Sequence, residues 1–229
     1  MTFRVRTAAL TAIAGIAFFA GAAQAFVPWT QPSGSGSFFT YSGGGSANGL
    51  FGDPILVGGN TFSFSPPNFI ANSVNGVAAS TPDTLQVTLT ANANARFTQI
   101  VVNELGDWAI TGIGQVQASG TLSLTDLINP RGPAFGSLVL NPTMPISAPP
   151  SGNWTGTRTI DLTQIIGPDW TSMVLVLTNT LQATSQQGSA ALIRKLNVQN
   201  GVSIQILPAP GAAALLGLAG LGFARRRRA

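Results

Sequence analysis

The feature that most constrains the fold of this chain is a two-residue alternation of apolar and polar side chains, repeated between clusters of turn-forming residues. Leu85, Val87 and Leu89 alternate with Gln86, Thr88 and Thr90, and Leu122 and Leu124 alternate with Thr121, Ser123 and Thr125. Val202, Ile204 and Ile206 alternate in the same way with Ser203 and Gln205. Successive side chains of a β-strand point to opposite faces, so this pattern sets one face on a core and the other in water. Residues 173–177 are apolar throughout and predict a strand buried on both faces. Weaker strand patterns fall at residues 61–64, 97–102, 108–118, 138–140, 159–162 and 192–198.

Turn chemistry separates these runs at Pro66-Pro67-Asn68, Asn75-Gly76, Pro82-Asp83, Gly106-Asp107, Asn129-Pro130, Pro149-Pro150 and Asn200-Gly201. Asn200-Gly201 lies between Leu196-Asn197-Val198 and Val202-Ser203-Ile204, which predicts a hairpin closing on the last strand. Gly112 and Gly114 predict a bulge or bend within the run that starts at Trp108. Away from the two ends no long stretch spaces apolar residues at three and four, and only residues 161–166 suit a single helical turn. The expected fold is all-β: a single β-sandwich, jelly-roll-like, over residues 51–207. Residues 26–50 are rich in Gly and Ser and predict a flexible leader, with Phe38, Phe39 and Tyr41 able to form an edge strand.

The two ends carry addresses, each with the pattern of a helix. Arg4 and Arg6 precede a mostly apolar core over residues 7–23, and Ala23-Gln24-Ala25 fits the small-x-small rule for cleavage before Phe26. Residues 1–25 thus predict an N-terminal signal helix removed by signal peptidase; an uncleaved membrane helix is the alternative. Val5 separates the two arginines, which favours general secretion over the twin-arginine route. At the other end Pro208-Ala209-Pro210-Gly211 breaks the chain, residues 212–224 are small and apolar, and Arg225, Arg226, Arg227 and Arg228 follow. Proline interrupts sheet ladders and helix interiors alike, so residues 208–229 predict a separate segment. The 14 residues 211–224 make a short apolar helix of about 21 Å, against a hydrocarbon core of about 30 Å. With its arginines snorkelling, such a helix suits a transient transmembrane anchor better than a permanent one.

This order of proline break, short apolar run and arginine block resembles the PEP-CTERM sorting signal of bacterial exported proteins. The matching residues are Pro208, Ala209, Pro210 and Arg225 to Arg228, with Ala209 standing where that signal usually has glutamate. The resemblance covers the last 22 residues. It implies an exported cell-envelope or extracellular-matrix protein, associated with exopolysaccharide and handled by an exosortase-type membrane protease. An ordinary C-terminal membrane anchor is the alternative.

The net charge of +4 belongs to the addresses, because six of the eleven basic residues are Arg4, Arg6 and Arg225 to Arg228. Between residues 26 and 207 five bases, Arg96, Arg131, Arg158, Arg194 and Lys195, face seven acids and leave a balance of −2. Such a body has no cationic field for phosphates, which excludes nucleic acid as a partner. The chain has no histidine and no cysteine. That rules out Ser-His-Asp and Cys-His nucleophiles, His/Cys metal sites and disulfide staples. No dinucleotide or phosphate-loop fingerprint occurs, so no cofactor and no metal are expected.

Catalysis is left only to carboxylates. Glu104 and Asp107, separated by Leu105-Gly106, suit either a solvated turn between strands or, remotely, an acid/base or Ca²⁺-binding pair of the glycoside-hydrolase kind. Trp108, Trp154 and Trp170 are the candidate ligand-binding residues: indoles on a sandwich face can stack on sugar rings, while core packing is the competing role. Ser151-Gly152-Asn153-Trp154-Thr155-Gly156 and Gly167-Pro168-Asp169-Trp170 read as loops, which favours exposure. Asn153-Trp154-Thr155 also matches an N-glycosylation acceptor. The expected function is a non-enzymatic, exported β-sandwich of the envelope or extracellular matrix. A carbohydrate-binding module for extracellular polysaccharide, using those tryptophans, is the alternative.

Overall fold

The computed structural model describes residues 26–147 and 150–209. The expected signal segment with Ala23 and Ala25, and the tail from Pro210 onward with Gly211 and Arg225 to Arg228, lie outside these residues. Eight strands come first: β1 (Val27–Pro28), β2 (Gly34–Ser35), β3 (Phe39–Ser46), β4 (Ile55–Val57), β5 (Thr61–Phe64), β6 (Ile70–Val74), β7 (Ala79–Ala91) and β8 (Phe97–Thr111). There follow β9 (Gly114–Asp126), β10 (Ala134–Ser137), β11 (Val139–Asn141), β12 (Ser151–Asp161), β13 (Ser172–Ser185), β14 (Ala190–Lys195) and β15 (Val202–Pro208). The single helical turn expected after residue 161 is a 3-10 turn at Leu162–Gln164, started by Asp161, whose side chain accepts from the Thr163 N–H.

Two antiparallel sheets pack face to face as a β-sandwich. One runs β1-β3-β7-β13-β9-β10, with β2 also on β3; the other runs β11-β12-β8-β15-β5-β4, with β14 and β6 beside the far half of β8. The alternating residues do what their period requires. Leu85, Val87 and Leu89 of β7, Leu122 and Leu124 of β9, and Val202, Ile204 and Ile206 of β15 all point into one shared core.

Several expectations are corrected. The Gly/Ser-rich leader is not a spacer: β1, β2 and β3 form the edge of the first sheet, and β3 pairs with β7 from Phe39↔Ala91 to Ser46↔Leu85. Its apolar residues explain why, since Trp29 and Phe39 are buried against Phe62, Phe64 and Phe97. Residues 173–177 are buried on one face only. Met173, Leu175 and Leu177 enter the core, while Val174 and Val176 share the outer face with Thr88, Gln86, Thr125 and Ser123.

Residues 108–118 are not one bent strand. At Gly112, whose φ of +77° suits glycine, the chain leaves β8 in one sheet and enters β9 in the other. Gly106-Asp107 makes no turn, because β8 runs straight through it. Asn200-Gly201 does turn, with Asn200 at φ +64°, but it closes no hairpin. β14 pairs with residues 106–111 of β8 and β15 with residues 97–104, on the same edge and in the same direction. Two strands lie end to end along one partner, and residues 196–201 loop out between them.

Candidate functional site

All three candidate tryptophans lie in the core, which corrects their expected exposure. Trp154 is 1% exposed, Trp170 2% and Trp108 4%. Trp154 and Trp108 are packed by one reciprocal device. On the β8–β12 ladder Trp154 stands opposite Gly106 and Trp108 opposite Gly152, and each indole occupies the place a side chain would need at its glycine partner. Trp29 sits on Gly44 in the same way. Gly106 and Gly152 are therefore seats for rings in paired strands, and the loop context inferred around Trp154 disappears. Trp170 follows the 3-10 turn and carries the Arg131 guanidinium 4.8 Å above its ring. Among the described residues none of these indole N–H groups has a hydrogen-bond partner. Asn153, the acceptor-like residue beside Trp154, faces outward from β12.

Glu104 and Asp107 are brought to opposite faces of β8 and do not share a cleft. Three residues along a strand reverse the side. Asp107 lies on the outer face and takes a two-point contact from Arg194, Nε to Oδ1 at 2.8 Å and Nη2 to Oδ2 at 2.9 Å. Glu104 turns inward and pairs with Lys195 Nζ, both buried. The ammonium is walled by Phe69, Trp154 and Phe51, with ring centres 5.2, 5.3 and 5.9 Å away. Burial pushes the Lys195 amine below its ordinary value, and the charge and hydrogen bond of Glu104 work against that shift. Among the described residues Glu104 Oε1 has no hydrogen-bond partner. Lys195 was not singled out by the sequence, although a signal was present. It continues the buried phase of Ala191 and Ile193 in β14, as Glu104 continues that of Ile100 and Val102 in β8.

Each remaining carboxylate is also held within the fold. Asp53 accepts from the Thr30 N–H at 2.7 Å, and Asp83 from the N–H groups of Asn48 and Leu50, both at 2.8 Å. Asp169 pairs with Arg96 at 2.8 Å. Asp126 accepts from Ile128 and Asn129 and pairs with Arg131 Nε at 2.8 Å. Burial raises the Asp126 carboxyl, but the Asn129 and Ile128 N–H groups, the Asn129 amide and Arg131 outweigh it and hold the carboxyl below the usual range.

Several hollows border this scaffold, among them one at its open edge and one at its tail end. A groove of about 410 Å³ at the open edge is lined by Thr30, Gln31, Tyr41, Asp53, Ile55 and Leu56. A second, of about 240 Å³, lies where the chain leaves the sandwich, between Arg96, Thr98, Thr163, Ile165, Asp169 and Trp170. There the Thr98 hydroxyl donates to the carbonyls of Leu207 and Pro208, and the Ala209 N–H donates to Arg96 O at 3.1 Å. Pro208 of the expected sorting motif thus ends β15 beside Phe97, and Ala209 is held to the residue that precedes β8. Among the described residues, no helix is long and apolar enough to cross a membrane.

The site and fold define a cysteine-free antiparallel β-sandwich whose carboxylates are bound within the fold. No protein-family model and no curated protein matches the chain. Among solved structures it is similar to the carbohydrate-binding module TmCBM61 in complex with β-1,4-galactotriose, at 10% identity and a TM-score of 0.26, over 78% of this chain and 97% of that one. It is also similar to the enzymatically active domain of tailspike protein 4 of bacteriophage CBA120, at 13% identity and a TM-score of 0.20, over 76% of this chain and 19% of that one. At these TM-scores neither likeness carries an argument about what this chain does.

Proposed function

We propose that this protein is an exported, non-catalytic β-sandwich of the cell envelope or extracellular matrix, delivered by its C-terminal segment. The jelly-roll-like arrangement and the helical form of the two addresses belong to the same proposal. The address rests on the order of proline break, apolar run and arginine block in residues 208–229. The observation that carries the non-catalytic part is the use made of the acidic side chains. All seven carboxylates of the body are bound to cations, hydroxyls or N–H groups of the fold itself, and Glu104 and Asp107 face apart. Such a domain supports a role in which the body is a durable payload and the tail supplies the address. Signal peptidase and an exosortase-type membrane protease are the proposed processing partners. Intact-mass measurement of the exported protein is expected to find a chain that starts at Phe26 and lacks Arg225 to Ala229. A mature chain that keeps those five residues rejects the sorting reading in favour of an ordinary anchor.

A second reading, retention on extracellular polysaccharide, no longer has its tryptophans. What supports it is the open-edge groove, where the Tyr41 ring stands beside Gln31, Thr30 and Asp53. Affinity electrophoresis in gels containing the producing cell's own polysaccharide is expected to retard the protein, and Gln31→Ala to relieve the retardation. Equal mobility with and without polysaccharide removes this reading.

A further inference from the structure

The end of the sandwich from which the tail departs carries a cluster of bare aliphatic side chains. Ile166 is 99% exposed, Ile128 65% and Leu127 50%. They sit on two loops that pack together: Arg131 Nη2 donates to Pro168 O at 2.5 Å and its guanidinium covers Trp170, while the Leu127 N–H donates to Ser172 O. Through the Arg96–Asp169 pair and the Arg96 carbonyl, the same loops reach Ala209. Exposure alone does not choose this end, because Ile113 at the opposite end of β8 is 63% exposed. The tether does choose it. Gly211, where the apolar run begins, follows Ala209 by two residues, and two residues of extended chain span at most about 7 Å. The headgroup layer on one side of a bilayer is itself only about 5–8 Å thick.

We propose that, while the tail is inserted, this end of the sandwich seats directly on the bilayer, with Ile166, Ile128 and Leu127 in the headgroup region. The inference rests on the reading of the tail as a membrane-inserted segment. A tether this short leaves no room for the domain to stand away from the surface, and aliphatic side chains facing lipid are removed from water. The seat presents Pro208, Ala209 and Pro210 at the membrane surface, within reach of a membrane-embedded protease. Ile113 points to the aqueous side, on the order of 45 Å along β8 at 3.3 Å per residue.

The absence of cysteine makes the test clean, since one substitution gives one labelled site. The full chain is reconstituted in phosphatidylcholine–phosphatidylglycerol vesicles with an environment-sensitive fluorophore at Ile166→Cys, Ile113→Cys or Phe223→Cys, with and without nitroxide-bearing lipid. Expected is a blue shift and nitroxide quenching at 166 and 223, and neither at 113. Quenching at 223 but not at 166 overturns the seat and leaves the inserted tail standing. Equal quenching at 166 and 113 shows undirected adsorption and also overturns it. No quenching at 223 rejects the inserted tail, and the seat with it.

Discussion

Lys195 is the one lysine in the sequence, and the sandwich seals it beside Glu104 under three aromatic rings. Removing one member of a buried pair strands the other charge and typically costs about 3–5 kcal/mol, whereas replacing both by apolar groups is often neutral. Glu104→Leu is therefore expected to lower the urea midpoint strongly, and Glu104→Leu with Lys195→Met to restore most of it; additive losses would reject the coupling. An amine-directed reagent should label only the amino terminus of the folded chain and reach Lys195 on denaturation, as peptide mapping can read. Asp126 adds a pH dependence. Its carboxyl sits lower in the fold than in the unfolded chain, so its contribution is present above about pH 4 and is lost as pH falls through the folded value. Wild type should lose more stability than Asp126→Asn on acidification below pH 4, and parallel stability–pH curves would dismiss this role. Charge type and spacing alone could not separate Asp107 from Glu104. The strand phase does, since one follows the exposed positions of β8 and the other the buried ones.

At the level of elements, the alternating runs of β7, β9 and β15 were legible from sequence because period two is a direct consequence of the pleat. What misled was glycine. Read as punctuation, Gly106, Gly152 and Gly156 broke β8 and β12 into loops; in the structure Gly106 and Gly152 lie beneath Trp154 and Trp108. The same reading turned residues 26–50 into a spacer, although Gly44 seats Trp29. Gly106→Ala would drive a methyl group into the Trp154 ring, and overpacking of this kind costs roughly 1–3 kcal/mol. Trp154→Ala would empty a buried site at about 3–5 kcal/mol. Both are expected to lower the melting temperature, with the tryptophan variant falling further. Removing residues 26–46 is expected to do more, because it unpairs β7 along its edge and takes Trp29 and Phe39 from the core. A truncated chain that melts as the intact one does would restore the spacer. The order of β14 and β15 along β8 was beyond local reading, since Asn200-Gly201 turns the chain without saying what lies on either side.

At the scale of the whole molecule, the described residues join two segments whose roles rest on the order of their sequence motifs. Between them stands a body with a slight negative balance, stabilised by an apolar core and by ion pairs, three of which join distant parts of the chain. The strand that feeds the tail is an interior one. β15 is laddered to β8 over most of its length on one side and to β5 on the other. Hydrogen bonds of antiparallel strands lie across the strand axis. A pull transmitted through the tail along that axis therefore loads both ladders together in shear, instead of unzipping one bond at a time as it would from an edge strand. The point at which the tail joins the sandwich therefore resists such a pull better than an edge strand would.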